Sequence, residues 1–160
     1  ALSAYIGMTR SEINEYMLPF VAKVIEPMIN TLALKIIHDH GDSGDTILLA
    51  SATNELIVQP IAKRLDIQNV IGTQVKFIND KCTGEYIPPS ALGEGKLQLV
   101  QQWMQKNNFD DFSGVTFYSD SINDLPLLEA VDFPKAVNPD AMLEKISLER
   151  GWEIIDLPIL

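Results

Sequence analysis

The chain has 160 residues, 46% of them hydrophobic and 21% charged, and a formal net charge of −10. That length suits one ordinary domain with at most an appendage, and it is enough to bury a core. An acidic surface repels nucleic-acid phosphates and anionic lipid, so neither is expected as a partner, and no run approaches the roughly 18 apolar residues of a membrane-spanning helix.

An anionic substrate would therefore need a local positive centre: a metal, a lysine or helix ends. Cys82 is the single cysteine. It permits no internal disulfide and fits a reducing, cytoplasmic compartment. It lies in a predicted hairpin with no His nearby, which reads as inert. The first residue is Ala1, and Ala1 to Met8 lack the charged start of a signal peptide. The expectation is a chain trimmed, or cut from something longer.

Thr9 and Glu12 have the spacing of a capping box, so a helix is expected from Thr9. Ile13, Met17, Phe20, Val21 and Val24 continue it at helical spacing. Pro27 breaks or restarts the segment. A second helix is expected from Met28, through Leu32, Leu34, Ile36 and Ile37, to about Gly41. His38 and His40 are two residues apart, so on a helix they diverge, and they read as structural rather than metal-ligating.

Thr46 to Ala50 form a continuous apolar run, the mark of a buried strand. The polar turn Ser51-Ala52-Thr53-Asn54 follows, then a helix through Ile57, Ile61 and Leu65. Free backbone N–H groups at a helix start make a natural anion site. Asn69 to Thr73 read as a third, short strand. Val75 to Ile78 and Cys82 to Ile87 read as a hairpin around Asn79-Asp80-Lys81.

Gly93-Glu94-Gly95-Lys96 open a helix through Val100 and Met104. This is no Walker A loop, because Ser90 and Leu97 stand where that motif requires Gly and Ser or Thr. Lys96 is still a cation beside a glycine loop, suited to a phosphate oxygen. Val115 to Ser119 form another buried strand, and Leu125 starts a helix with Pro126 in its first turn. Ala136-Val137 read as a short strand before Asn138-Pro139-Asp140. A helix from Ala141 to Arg150 and a strand at Glu153 to Ile155 complete the chain.

Asp120 and Asp124 thus sit at the carboxyl end of a strand in an α/β pattern, where open sheets place their ligands. One acid there could cap the helix. Asp120, Asn123 and Asp124 together are more polar groups than a cap needs, and two carboxylates suit a hard cation such as Mg²⁺. An EF-hand is excluded by Ile122 and Leu125 at its third and sixth positions. Hydroxyls, a lysine and carboxylates, each at a strand or helix end, have the makings of a pocket for Mg²⁺ and phosphate.

The order Ser51, Lys96, Asp120 and Asp124 resembles motifs two, three and four of the haloacid dehalogenase superfamily. Ser51-Ala52-Thr53-Asn54, Glu94-Gly95-Lys96 and Tyr118 to Glu129 are most similar to its phosphoserine-phosphatase-like branch, subfamily IB. Ala136-Val137-Asn138-Pro139-Asp140 and Arg150 to Asp156 match it too, so the resemblance covers residues 25–156. It implies an α/β fold, a Rossmann-like parallel sheet with a helical cap. It also implies a Mg²⁺-dependent phosphomonoesterase acting on a small phosphorylated metabolite through an aspartyl-phosphate. Asp120 would bind Mg²⁺, with Asp124 beside it as ligand or orienting carboxylate. Ser51, flanked by Ala52 and Thr53, would hold the phosphate with Lys96, and Asn123 would contact phosphate or substrate. Lys96, Asp120 and Asp124 are the implied catalytic set in this chain.

Two features depart from the family pattern. The family's nucleophile lies in an Asp-x-Asp motif ending the first strand, and no Asp-x-Asp precedes Ser51. The expectation is a nucleophile upstream of this chain, residues 1–24 as the end of a cap, and residues 25–160 as a core without its first strand. On that view these 160 residues alone give no turnover and are poorly stable, with two exposed sheet edges. The second departure is Ser51-Ala52-Thr53 in place of Ser-Gly-Gly, which argues against phosphoserine itself as substrate. The alternative reading is a non-catalytic, degenerate domain that binds metal, phosphate or a protein. A phosphoacceptor receiver domain is disfavoured, because no acidic pair precedes an acceptor Asp.

Overall fold

The structure, a computed structural model, describes residues 2–158. The chain divides into two compact units, with the boundary after Ala91. No helix among the described residues is long and apolar enough to cross a membrane.

In the first unit, α1 (Arg10–Phe20) starts at the expected capping box. Thr9 N–H donates to Glu12 Oε2 at 2.7 Å, and Glu12 N–H donates to Thr9 Oγ1 at 3.2 Å. Pro19 lies inside α1 and has no N–H to donate. The chain stays helical but widens to a π-helical turn over Val21–Ile25, then tightens over Glu26–Met28. The expected stripe through Val24 therefore changes helix type after Phe20. α2 (Thr31–Asp42) begins later than expected, because Asn30 is extended and caps it. The Asn30 carboxamide oxygen accepts from Leu32 and Ala33 N–H at 2.9 and 3.2 Å.

β1 (Leu48–Asn54) pairs in parallel with β2 (Asn69–Ile78), and β2 pairs antiparallel with β3 (Lys81–Ile87). Two expectations are corrected here. The third strand and the first hairpin strand are one strand: its first half pairs with β1 and its second with β3. Ser51 to Asn54 belong to β1 rather than to a turn after it, although the ladder is irregular there. Ala50 faces Ile71 and Asn54 faces Thr73, so Ser51, Ala52 and Thr53 bulge opposite Gly72 alone. A Cβ at Gly72 would stand 2.9 Å from the Thr53 carbonyl oxygen, so the bulge requires glycine there. Asn79 and Asp80 both have positive φ, as the two-residue hairpin turn demands.

α3 (Glu55–Arg64) packs on this sheet with α1. Ile13 and Met17 of α1, Leu56 of α3, Val75 of β2 and Cys82 of β3 share one buried cluster. Gly7 N–H donates to the Cys82 carbonyl, and Cys82 N–H donates to the Met8 carbonyl, both at 2.9 Å. These bonds cover part of the free edge of β3. His40 Nδ1 lies 2.6 Å from Asp45 Oδ2, at the end of α2.

The second unit holds a parallel sheet in the order β4 (Thr116–Ser119), β5 (Phe133–Val137), β6 (Glu153–Ile155). β5 starts at Phe133, earlier than the expected Ala136. Pro134 is tolerated because β6 pairs only from Lys135 on, so no second ladder needs its N–H. α4 (Glu94–Lys106), α5 (Leu125–Ala130) and α6 (Ala141–Arg150) complete the unit. Leu128 of α5, Ala136 of β5 and Leu143 of α6 form its core.

Two predictions follow from local imbalances. Ser147 in α6 is fully buried, and its hydroxyl has no hydrogen-bond partner among the described residues. Ser147→Ala is expected to raise stability by about 1 kcal/mol, read as a higher urea midpoint. The Thr9 backbone N–H, then its hydroxyl, hold the Glu12 carboxyl below its ordinary range. A folded value below the unfolded one stabilises fully above about pH 4.5, and the gain is lost as pH falls through the folded value. Glu12→Gln is expected to flatten the acid limb of the stability profile and to leave its neutral-pH shape unchanged.

Candidate active site

The site in the second unit is built from two loops. Gly93 precedes α4 at φ 54, ψ −126, a backbone state that favours glycine. This turn puts Lys96 in the first turn of α4, where it is 5% exposed. A cation there opposes the helix dipole, and a buried ammonium without a partner is costly. Asp124 supplies the partner: Lys96 Nζ donates to Asp124 Oδ1 at 2.5 Å.

Asp124 is itself buried. Its other oxygen, Oδ2, accepts from the Ser119 hydroxyl at 2.6 Å. Ser119 is the buried last residue of β4, and its Oγ accepts from Ser121 N–H at 3.2 Å. The backbone between them winds into a short 3-10 turn, Ile122–Asp124. Ser121 caps it by accepting from Asn123 N–H at 3.2 Å. Pro126 then stands in the first turn of α5, as expected.

Asp120 is different. It is exposed at the head of the loop, and its carboxylate carries no hydrogen bond or ion pair among the described residues. Asn123 is exposed in the same loop. The structure thus joins Lys96 and Asp124 directly and places Asp120 and Asn123 on the loop that Asp124 ends. Ser51, Ala52 and Thr53 lie in the first unit, on the bulge of β1. Ser51 Oγ accepts from Thr53 N–H at 3.2 Å, and Thr73 Oγ1 donates to the Ala52 carbonyl at 2.8 Å. The carboxamide oxygen of Asn54, at the foot of the bulge, is buried without a hydrogen-bond partner among the described residues.

Two residues of this site escaped the sequence reading. Ser119 counted only as strand, and its bond to Asp124 depends on the 3-10 turn. Asp140 counted only as a turn residue. It caps α6 by accepting from Leu143 N–H at 2.8 Å on Oδ1. Its Oδ2 accepts from Ile122 N–H at 2.7 Å, and its own N–H donates to the Asp120 carbonyl at 2.8 Å. The Ile122 and Leu143 N–H groups hold the Asp140 carboxyl below its ordinary range. An N-cap signal, a polar residue just after Pro139, was available; the contact to Ile122 was not.

The donor set fits Mg²⁺. Asp120 offers a hard, unengaged carboxylate, and Mg²⁺ commonly takes one or two carboxylates with waters and substrate phosphate. No cluster of three or more His, Cys, Asp or Glu side chains arranged to hold a metal occurs among the described residues. Lys96 has three N–H donors and gives one to Asp124, so the others remain for an anion.

The sequence profile of the haloacid dehalogenase-like hydrolases matches residues 1–129. A histidinol-phosphatase from Neisseria meningitidis serogroup C is 39% identical over 151 residues, covering 92% of this chain and 68% of that protein. A crystal structure of a protein with unknown function from Bordetella pertussis Tohama I has a TM-score of 0.85 at 34% identity, covering 94% of this chain and 68% of that one. A phosphoserine phosphatase with an analogue of its phospho-aspartyl intermediate has a TM-score of 0.64 at 13% identity, over 99% of this chain and 69% of that one. The last is a likeness of fold, and the α/β fold with parallel strands expected from the sequence is the fold it has.

Breaking the buried pair tests its weight. Asp124→Ala leaves the Lys96 ammonium buried without its partner and is expected to cost about 3 kcal/mol of stability. Ser119→Ala removes one hydrogen bond and is expected to cost about 1 kcal/mol. Both are read as shifts in urea midpoint.

Proposed function

The chain belongs to the haloacid dehalogenase-like hydrolase family, and we propose that it serves a Mg²⁺-dependent phosphomonoesterase acting on a small phosphorylated metabolite. The observation that carries this reading is a buried lysine held by Asp124, with the unengaged carboxylate of Asp120 on the loop that Asp124 ends. Lys96 binds a phosphate oxygen with the donors that Asp124 leaves open. Asp124 takes the orienting role, which is supported by the bonds already on both its oxygens. Asp120 holds Mg²⁺, and Asn123 contacts phosphate or substrate. Ser51 is assigned as a phosphate contact, with Ala52 and Thr53 beside it, on the order of the motifs.

Mg²⁺, when bound, neutralises charge on the transferring phosphoryl group. The nucleophile is proposed to be an aspartate outside these 160 residues, because no Asp-x-Asp precedes Ser51. Its carboxylate oxygen forms a bond to phosphorus as the P–O ester bond breaks. A second carboxylic acid gives the leaving alkoxide its proton, and water then hydrolyses the aspartyl-phosphate. Histidinol phosphate is the first metabolite to test, since the relative named for it is 39% identical.

The test is hydrolysis of p-nitrophenyl phosphate and histidinol phosphate by the intact protein, with and without Mg²⁺. Metal-dependent turnover is expected, and Asp120→Asn is expected to lower kcat by about 100-fold or more. Activity retained in that variant would remove Asp120 from its role. The 160 residues alone are expected to give no turnover; turnover there would put the nucleophile within this chain.

A further inference from the structure

We propose that Asp140 is a positioning residue for the metal-binding loop, acting through the backbone on either side of Ser121. The inference rests on the proposed role of Asp120. Besides the first helical bond, from Glu144 N–H to its carbonyl, Asp140 makes three bonds at once. Its N–H donates to the Asp120 carbonyl at 2.8 Å. Its Oδ2 accepts from Ile122 N–H at 2.7 Å, and its Oδ1 accepts from Leu143 N–H at 2.8 Å. The first two bonds bracket Ser121 and hold the backbone that carries Asp120. The third fixes Asp140 to the first turn of α6.

The Asp120 side chain has no hydrogen bond or ion pair of its own among the described residues. Its direction is therefore set by its backbone, and its backbone is set in part by Asp140. Asp140 is in turn held from behind. Asn138, at φ 43, donates from its carboxamide nitrogen to the Leu157 carbonyl at 3.0 Å and accepts from Leu157 N–H at 2.8 Å. The end of β5 is thus anchored before the chain turns into α6. A helix cap needs only the Leu143 bond. The bond to Ile122 is additional to capping, and it ends on the loop that carries the metal ligand.

Serine at position 140 separates the two jobs. Its hydroxyl still caps α6, but one oxygen cannot also reach Ile122. The experiment measures Mn²⁺ binding to the intact protein by the electron paramagnetic resonance signal of free Mn²⁺. Wild type, Asp140→Ser and Asp140→Ala are compared, with Tm and phosphatase turnover taken on the same samples. Asp140→Ser is expected to keep a Tm near wild type and to bind Mn²⁺ about tenfold more weakly. Asp140→Ala is expected to weaken binding similarly and to lower Tm by a few degrees as well. Unchanged Mn²⁺ affinity in Asp140→Ser would overturn the proposal, leaving Asp140 a helix cap. A wild type that binds no Mn²⁺ would overturn it too. A wild type that binds Mn²⁺ and hydrolyses no phosphomonoester, while Asp140→Ser binds weakly, would uphold the positioning role and refute the phosphatase reading.

Discussion

The bond between Lys96 and Asp124 constrains everything near it. A lysine in the first turn of a helix sits against the helix dipole, and burial adds a second penalty. Only a carboxylate held close can offset both. That carboxylate comes from 28 residues along the chain, so the start of α4 and the start of α5 must be fixed together. Gly93 supplies the turn into α4, and the Ser119 hydroxyl holds the second oxygen of Asp124. The result is a buried ion pair in which Lys96 keeps two further N–H donors.

The carboxyl ends of adjacent strands share the work. β4 delivers Ser119 and Asp120, and β5 delivers Asn138 and, two residues on, Asp140. Parallel pairing in register, with Ser119 beside Ala136, brings these ends to the same side of the sheet. This is the usual reason that open α/β sheets keep their chemistry at one end. In the first unit the same principle yields a strand-end bulge instead of a simple turn, with Gly72 making room for it.

Sequence reading succeeded where a local rule decides the outcome. The Thr9–Glu12 capping box, Pro126 in the first turn of α5, and the hairpin turn at Asn79 and Asp80 each depend on a few neighbouring residues. Lys96 and Asp124 were singled out through the resemblance, since that depends on motif order, but the bond between them was not. The failures have nonlocal causes. Ser51 to Asn54 looked like a turn because hydroxyls and an amide favour turns, yet the ladder with β2 resumes at Asn54. Residues 69–78 looked like two strands because Gly72 and Gln74 interrupt the apolar run. The glycine is there for the bulge across the sheet. The change of helix type after Phe20 left no mark on the apolar spacing. The role of Asp140 depends on a contact to Ile122 across 18 positions, which no local pattern records.

The order of these bonds along the chain has a consequence for biosynthesis. The carboxylates at positions 120 and 124 leave the ribosome before the residues that brace their loop. Asp140 follows, and the carboxamide of Asn138 waits for Leu157. Translation runs from the N-terminus, so the N-terminal elements have the first opportunity to fold. The loop cannot acquire its final bracing until α6 and β6 have emerged. A nascent chain paused between these points would carry Asp120 and Asp124 without the bonds that brace their loop, and the geometry of the loop would arrive only with α6 and β6.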